Sequence, residues 1–463
     1  MTTKGLRTLF ATIAMGIGAC TYAQTWEAPT VPGADLDNVK TSEVGYLYNV
    51  ETDAFLVNGM TWNTNACATR LTNGDQAASE PQQCTLKVTS STKQLSISLK
   101  AYSSYTISCL SAAANNIYVD QNEGNTFKYA EQGEGSHVYT LTNTTYSKPL
   151  DVTWGSGGHL TIAGGAGHTQ WAFISETNIT NGQYALYKSR RLLYQLYAAI
   201  EASGCGDKYA TELQTALSAY LSTTATVATT TKAAATLFNA VYADLTQAVD
   251  VSFLFTDADM SATTSAAKWT STSATYSWGE FEKYHAAITL KQSQTVPQGL
   301  YDVSFRSIYR EDGSNAAPTL TATGQNSVKV DIPLMGTLNY SVTNTNNNGW
   351  SAGNQYNQPN DMHSASQGLT HDGAVATAHD VIVGSDQKLS IEVKMTSTSQ
   401  WLNWQGFKIV YKGTGTASLV DELTTTIAAA TTLMADDTSE AAATLKATIE
   451  AAQAVADDPA SDM

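Results

Sequence analysis

The sequence predicts a mainly β, multi-domain chain. Its parts are a β-trefoil-like domain, a three-helix spacer, a jelly-roll β-sandwich and a C-terminal helical hairpin. Three observations carry this prediction. Apolar residues recur at every second position through most of Val44 to Tyr411. Two alanine-rich stretches break that pattern with helical spacing. At 463 residues, with 42% hydrophobic residues, the chain is long enough for several cores and apolar enough to fill them.

Residues 1–23 read as a secretory signal. Lys4 and Arg7 form the positive start, Leu9 to Ile17 the apolar run, and Thr21, Tyr22 and Ala23 the small-residue cleavage site. A lipoprotein signal ending at Cys20 is the rival reading, because Ile17, Gly18 and Ala19 approximate a lipobox. Either way the expected location is secreted or at the cell surface. Residues 24–40, with Pro29, Pro32 and Gly33, read as an exposed leader.

The trefoil-like domain is expected over 41–178. Strands are predicted at Tyr46 to Val50 and Ala54 to Val57, joined by the turn Glu51, Thr52 and Asp53. Similar strand-and-turn units follow from Gln94 onward, and the domain as a whole falls into three divisions of about 45 residues, each opening on a strand pair. Each division closes on an apolar stretch: Cys84 to Val88, Phe127 to Tyr129, and Trp171 to Ile174.

From 179 to 248 the period becomes helical. Leu193, Leu196 and Ile200 form one stripe, Leu213 and Leu217 a second, Leu237 and Val241 a third. Gly204 to Asp207 breaks the first helix from the second, and the Thr-rich run 222–232 breaks the second from the third. Arg190 and Arg191 read as a solvated face. Over 249–413 the pattern returns to alternation. Tyr301, Val303 and Phe305 oppose Asp302, Ser304 and Arg306, while Leu389, Ile391 and Val393 oppose Ser390, Glu392 and Lys394. About eight such strands suit a jelly roll. The tail, 414–463, repeats the helical pattern as a hairpin, with Asp436 to Ser439 capping its second helix.

Composition narrows the partners. Only 14% of residues are charged, and the formal charge is −16. Such a surface suits neutral polar ligands and repels nucleic acid and anionic lipid. No transmembrane segment is expected. Beyond Cys20 stand Cys67, Cys84, Cys109 and Cys205, with more than one pairing open and Cys67 with Cys84 the first to test. His363, His371 and His379 recur at an interval of eight, which on a continuous strand would hold them more than about 20 Å apart. They read as surface histidines. The glycine clusters Gly155 to Gly158 and Gly164 to Gly167 open no helix after a strand and read as turns. No hydrolase, zinc-protease or kinase motif is present.

Tyr46 to Val50, Phe55, Leu56, Gly59 and Trp62 to Thr64 resemble the opening repeat of ricin-type lectin modules, in a variant found in secreted Bacteroidetes proteins. The second stretch, with Gly299 to Val303, Tyr309, Arg310, Asn360 to Met362 and Phe407 to Gly413, is similar to galactose-binding-like sandwiches of glycan-degrading systems. The resemblance implies a non-catalytic carbohydrate-binding protein, partnered by polysaccharide or glycoconjugate glycans. Alternatives are a structural or adhesive surface stalk, or the non-catalytic N-terminal part of a larger glycan-degrading enzyme.

Sugars stack their C–H faces on flat aromatic rings and bond their hydroxyls to amides and carboxylates. Candidates in the sandwich are Trp278, Trp350, Trp401 and Trp404, with Asn360 and Asp361. In the trefoil they are Asp53, Trp62 and Asn65. No cofactor is required. The galactose-binding-like resemblance implies a structural calcium, for which Asp257, Asp259 and Glu280 are the candidates.

Overall fold

A computed structural model describes residues 25–61, 67–71, 82–100, 105–109, 111–113, 117–121, 125–153, 159–164, 167–271, 273–311, 313, 315–338, 359, 361–414, 417–434 and 439–456. Residues 1–23, expected to form a signal, and Trp62, Asn65, Trp350 and Asn360 lie outside these residues.

Among the described residues the first β region contains thirteen strands. They are β1 (Val44–Asn49), β2 (Ala54–Thr61), β3 (Cys67–Leu71), β4 (Gln83–Thr89), β5 (Gln94–Leu99), β6 (Thr106–Ser108) and β7 (Tyr118–Gln121). β8 (Phe127–Glu131), β9 (Tyr139–Asn143), β10 (Lys148–Pro149), β11 (Asp151–Thr153), β12 (His159–Thr161) and β13 (Trp171–Ser175) complete the set. Antiparallel pairing runs from β1 to β4, β5, β8, β9 and β13, and from β13 back to β1. This ring is a closed barrel, so none of its strands presents a free edge. The hairpins β2–β3, β6–β7 and β11–β12 stand off it.

Each third of the region thus contributes two barrel strands and one hairpin, which is the plan of a β-trefoil. The three apolar closers expected from sequence are the barrel strands β4, β8 and β13. Leu47, Leu86, Ile97, Phe127, Leu141 and Phe173 fill the interior. Gly45 is required at the β1–β13 seam, since a Cβ there would lie 2.4 Å from the Phe173 ring.

Four helices follow: α1 (Glu176–Thr180), α2 (Gln183–Ala202), α3 (Ala210–Leu221) and α4 (Val227–Val241). One stripe of α2, Tyr184 and Tyr187, packs on the outer side of the barrel against Tyr48 and Phe55. Another stripe, Leu193, Leu196 and Ile200, packs with α3 and α4. The break expected across 222–232 ends earlier, at Thr226. The hydroxyl of Thr226 accepts from Thr229 N, and the Thr229 side chain accepts from Thr226 N, so this capping box starts α4 inside the Thr run.

The N-terminal segment is not an exposed leader. Trp26 stacks on Tyr197 of α2 at 4.8 Å, and Val31 and Leu36 are buried. Three apolar side chains with partners on both the barrel and the helices make it a strap.

The second β region holds β14 (Val249–Asp250), α5 (Ser265–Lys268), β15 (Thr275–Ser277), β16 (Glu280–Tyr284), β17 (Ile288–Thr295), β18 (Gly299–Glu311), β19 (Thr319–Thr323) and β20 (Ser327–Asp331). After these come α6 (Met362–Gly368), β21 (Val375–Val383), β22 (Lys388–Met395) and β23 (Gln400–Tyr411). A six-stranded sheet, β15-β16-β23-β18-β21 with β14 on β23, faces a four-stranded one, β17-β22-β19-β20. Val303, Phe305, Trp404 and Ile409 meet Leu290, Leu320 and Ile391 between them.

The helical core continues into this sandwich. Phe238 packs edge-on against Tyr411 at 5.1 Å, and the Tyr411 hydroxyl donates to Tyr242 O at 2.8 Å. Finally α7 (Ala417–Leu433) and α8 (Glu440–Ala456) form a hairpin whose Leu423, Ile427 and Ile449 rest on Ile382 and Leu300. Ser439 accepts from Ala442 N at the start of α8. Among the described residues no helix is long and apolar enough to cross a membrane.

Cys84, Cys109 and Cys205 are free thiols, so the pairing of Cys67 with Cys84 is not made. Cys84 lies on β4 with its side chain fully buried in the barrel, opposite Gly45 and Leu99.

Candidate functional site

β23 is buried on both faces from Gln400 to Gln405, although alternation would leave one face wet. Leu402 and Trp404 point into the sandwich core, and Trp401, Asn403 and Gln405 point out of it. Register assembles that outer face. Tyr284 of β16 and Arg310 of β18 flank Trp401, while Glu282 and Ile308 flank Asn403. Glu280, two residues before Glu282, lies on the same face.

The row at one end is aromatic and cationic. The Arg310 guanidinium lies 4.9 Å from the Trp401 ring, and its Nη1 donates to Pro359 O at 3.2 Å. Tyr284 meets Trp401 edge-on at 6.3 Å and is 54% exposed, which makes it the open end of the row. Trp401 Nε1 donates to Glu282 Oε2 at 2.7 Å. Met362 and Ala365 of α6, with Leu369, cover Ile308 and Trp401.

The neighbouring part of the face is polar and unsatisfied. Both carboxylate oxygens of Glu280, both amide atoms of Asn403 and Oε1 of Gln405 are buried without a hydrogen-bond partner. Burial pushes the Glu280 carboxyl well above the usual carboxylate range, and the charges of Glu282 and Asp361 push the same way. Beyond Gln405 a cleft of about 40 Å³ opens between Asp259, Arg306 and Gln405, with room for a few waters. Gly406 admits the 257–260 loop here, since a Cβ on it would lie 3.0 Å from Ala258 O.

Several expectations change against this geometry. Trp401 and Trp404 are not exposed loop platforms. Both sit in β23 at 2% and 0% exposure, because a long strand with two packed faces buries alternate residues on each side. Trp404 belongs to the sandwich core, stacked on Phe281 at 5.7 Å. Trp278 is half-buried in the β15–β16 turn with φ +55. Asp361 is exposed at the start of α6. Asp257, Asp259 and Glu280 do not converge, and among the described residues no group of three or more acidic, histidine or cysteine side chains is placed to hold a metal.

Asp53 is not open to a ligand. It pairs with Arg191 and accepts from the Tyr48 hydroxyl, and Arg191 is accordingly not a solvated residue. Arg190 is half-buried. It donates to Ser222 O at 3.0 Å and lies over the Tyr220 ring. Of the histidines read as surface residues, His371 is buried, with Nδ1 accepting from Gly373 N at 2.9 Å, whereas His379 is exposed and bonds Asp302 at 3.0 Å.

Sequence reasoning missed Glu282, Tyr284, Arg310, Asn403 and Gln405. The available signal was polar alternation in Glu280, Glu282 and Tyr284 set against Trp401, Asn403 and Gln405, two strands whose apolar positions already fill a core.

No protein-family model and no curated protein matches the chain. Solved structures do align with part of it. A salivary protein from Culex of the cysteine- and tryptophan-rich family is 13% identical, covers 30% of this chain and 96% of its own, with a TM-score of 0.24. SeviL bound to asialo-GM1 saccharide is 13% identical over 29% of this chain and 98% of its own, at 0.22. The Rhizoctonia solani agglutinin is 15% identical over 29% and 95%, at 0.23. Scores this low decide neither fold nor function for this chain.

Proposed function

We propose that the protein binds carbohydrate without catalysis, taking a polyhydroxylated ligand on the outer face of the larger sheet. The observation that carries this is the group of buried, unsatisfied polar atoms on Glu280, Asn403 and Gln405. Native proteins pair nearly all buried polar groups, because an unpaired one costs about 1–3 kcal/mol. The group mixes acceptors with a donor, the Asn403 amide. A sugar hydroxyl donates and accepts at once, so it satisfies both kinds. The neighbouring Trp401 and Tyr284 rings supply the apolar faces that pyranose C–H groups favour.

In this reading residues 249–413 form a galactose-binding-like module. The trefoil over 41–178, the helices over 179–248 and the hairpin over 414–463 position it on an exported protein. Asp53 of the trefoil takes no part, since Arg191 already occupies it.

The test is a broad glycan panel against the full chain, with Asn403→Leu and Tyr284→Ala beside it. Asn403→Leu removes both amide groups at nearly constant shape, so it should weaken binding about tenfold while leaving the melting temperature unchanged or higher. Failure of every glycan to bind, or binding by both variants as tight as by the native chain, would refute the proposal.

One observation favours a second reading, a rigid structural stalk. The helices share a continuous core with the sandwich and an ion pair with the trefoil. A stalk predicts that no glycan shifts the melting temperature.

A further inference from the structure

A second cleft lies far along the chain from the sheet face, between the N-terminal strap and the helices. Its volume is about 280 Å³, close to the lower end for small-ligand pockets. Leu186, Tyr187 and Arg190 of α2 line it, together with Pro29 of the strap and Tyr220 and Leu221 of α3. The strap is pinned around it. Trp26 is stacked on Tyr197, the Tyr220 hydroxyl donates to Glu27 O at 2.6 Å, and Asn178 Nδ2 donates to Pro32 O at 2.9 Å.

The two adjacent arginines of α2 have opposite fates. Arg191 is paired with Asp53. Arg190 has no carboxylate within ion-pair distance among the described residues, although the chain holds 41 acidic residues against 25 basic ones. Its Nη2 donates to a single carbonyl, Ser222 O, and its buried Nε–H has no acceptor. Glu27 also borders the cleft but is exposed and does not pair with it. A partly desolvated guanidinium with spare donors is matched best by a carboxylate, whose two oxygens fit the planar fork.

We propose that this cleft is a carboxylate-binding site. Arg190 holds the carboxylate, and Tyr187, Tyr220 and Leu186 pack the body of a ligand about the size of a monosaccharide. Two sources share this chemistry, a hexuronic acid and the C-terminal carboxylate of a peptide. The site is independent of the sheet face, so either can fail alone.

Calorimetric titration of the full chain tests it, using galacturonate against galactose and an acetylated dipeptide against its amide. At least one acid should bind and its neutral counterpart should not. Arg190→Gln should weaken that binding at least about tenfold, with Arg190→Lys intermediate. Leu221→Trp, at a position 38% exposed, should block the cleft without disturbing a core. Binding of galacturonate alone, the peptide acid alone or both identifies the source and supports the site. Absence of binding by both acids, equal binding of the neutral forms, or acid binding unchanged in Arg190→Gln and Leu221→Trp would overturn it.

Discussion

Arg191 of α2 reaches across to Asp53 in the β1–β2 turn, 138 positions earlier in sequence, and its Nη1 also donates to the Tyr48 hydroxyl at 3.0 Å. The two side chains keep 23% and 17% of their surface exposed, so the pair is largely but not wholly desolvated. Asp53 sits at φ +53 in the turn that presents it. The contact ties the barrel to the helices at a polar point inside an aromatic cluster of Tyr48, Phe55, Tyr184 and Tyr187.

Breaking that pair from one side leaves a charge behind in a half-dry site. Asp53→Ala and Arg191→Ala should each lower stability by about 2–3 kcal/mol, somewhat less than breaking a fully buried pair because of the residual exposure. Denaturant melts of the single and double variants measure it, and the double should cost clearly less than the sum.

Trp401 and Tyr284 touch but should respond differently to truncation. Trp401→Ala empties a site that is 2% exposed and should cost about 3–5 kcal/mol. Tyr284, at 54% exposed, should cost no more than about 0.5 kcal/mol on truncation. A loss of glycan binding in Tyr284→Ala at unchanged melting temperature therefore reports on the ligand, whereas the same loss in Trp401→Ala does not.

Glu280 makes stability depend on pH. Its folded-state carboxyl titrates well above the unfolded value, chiefly through burial, so the folded state binds the extra proton between the two values. Stability is fully present below the ordinary carboxyl range near pH ~4 and is lost as pH rises toward the raised value, by at most about 1.4 kcal/mol per pH unit. Thermal melts from acid to mildly alkaline pH should show that decline in the native chain and a flatter profile in Glu280→Gln.

Burial pushes the thiols of Cys84 and Cys109 up to about 12. Cys205 is also raised, by burial and by Asp244, but it is only partly buried. Iodoacetamide at pH ~8 should label Cys205 in the native protein, and should reach Cys84 and Cys109 only in denaturant, as peptide mapping would show.

Much of the first β region was legible because barrel strands carry their own alternation. Cys84 to Val88, Phe127 to Tyr129 and Trp171 to Ile174 are apolar wherever the chain puts them, and all three became barrel strands. The candidate site was not legible in the same way. Trp401 and Trp404 signal aromatic surface only if their strand has a free face, and packing by α6 and the second sheet removed it.

Side-chain periodicity alone marked most of the barrel strands and the long helices, because each such element needs an apolar stripe set by its own backbone repeat. Tertiary structure alone brought Glu282 beside Asn403, left Arg190 without an ion-pair partner among the described residues and gave Arg191 to Asp53. Those choices depend on strand register and on which element packs over which face, relations between residues more than a hundred positions apart that no local pattern encodes.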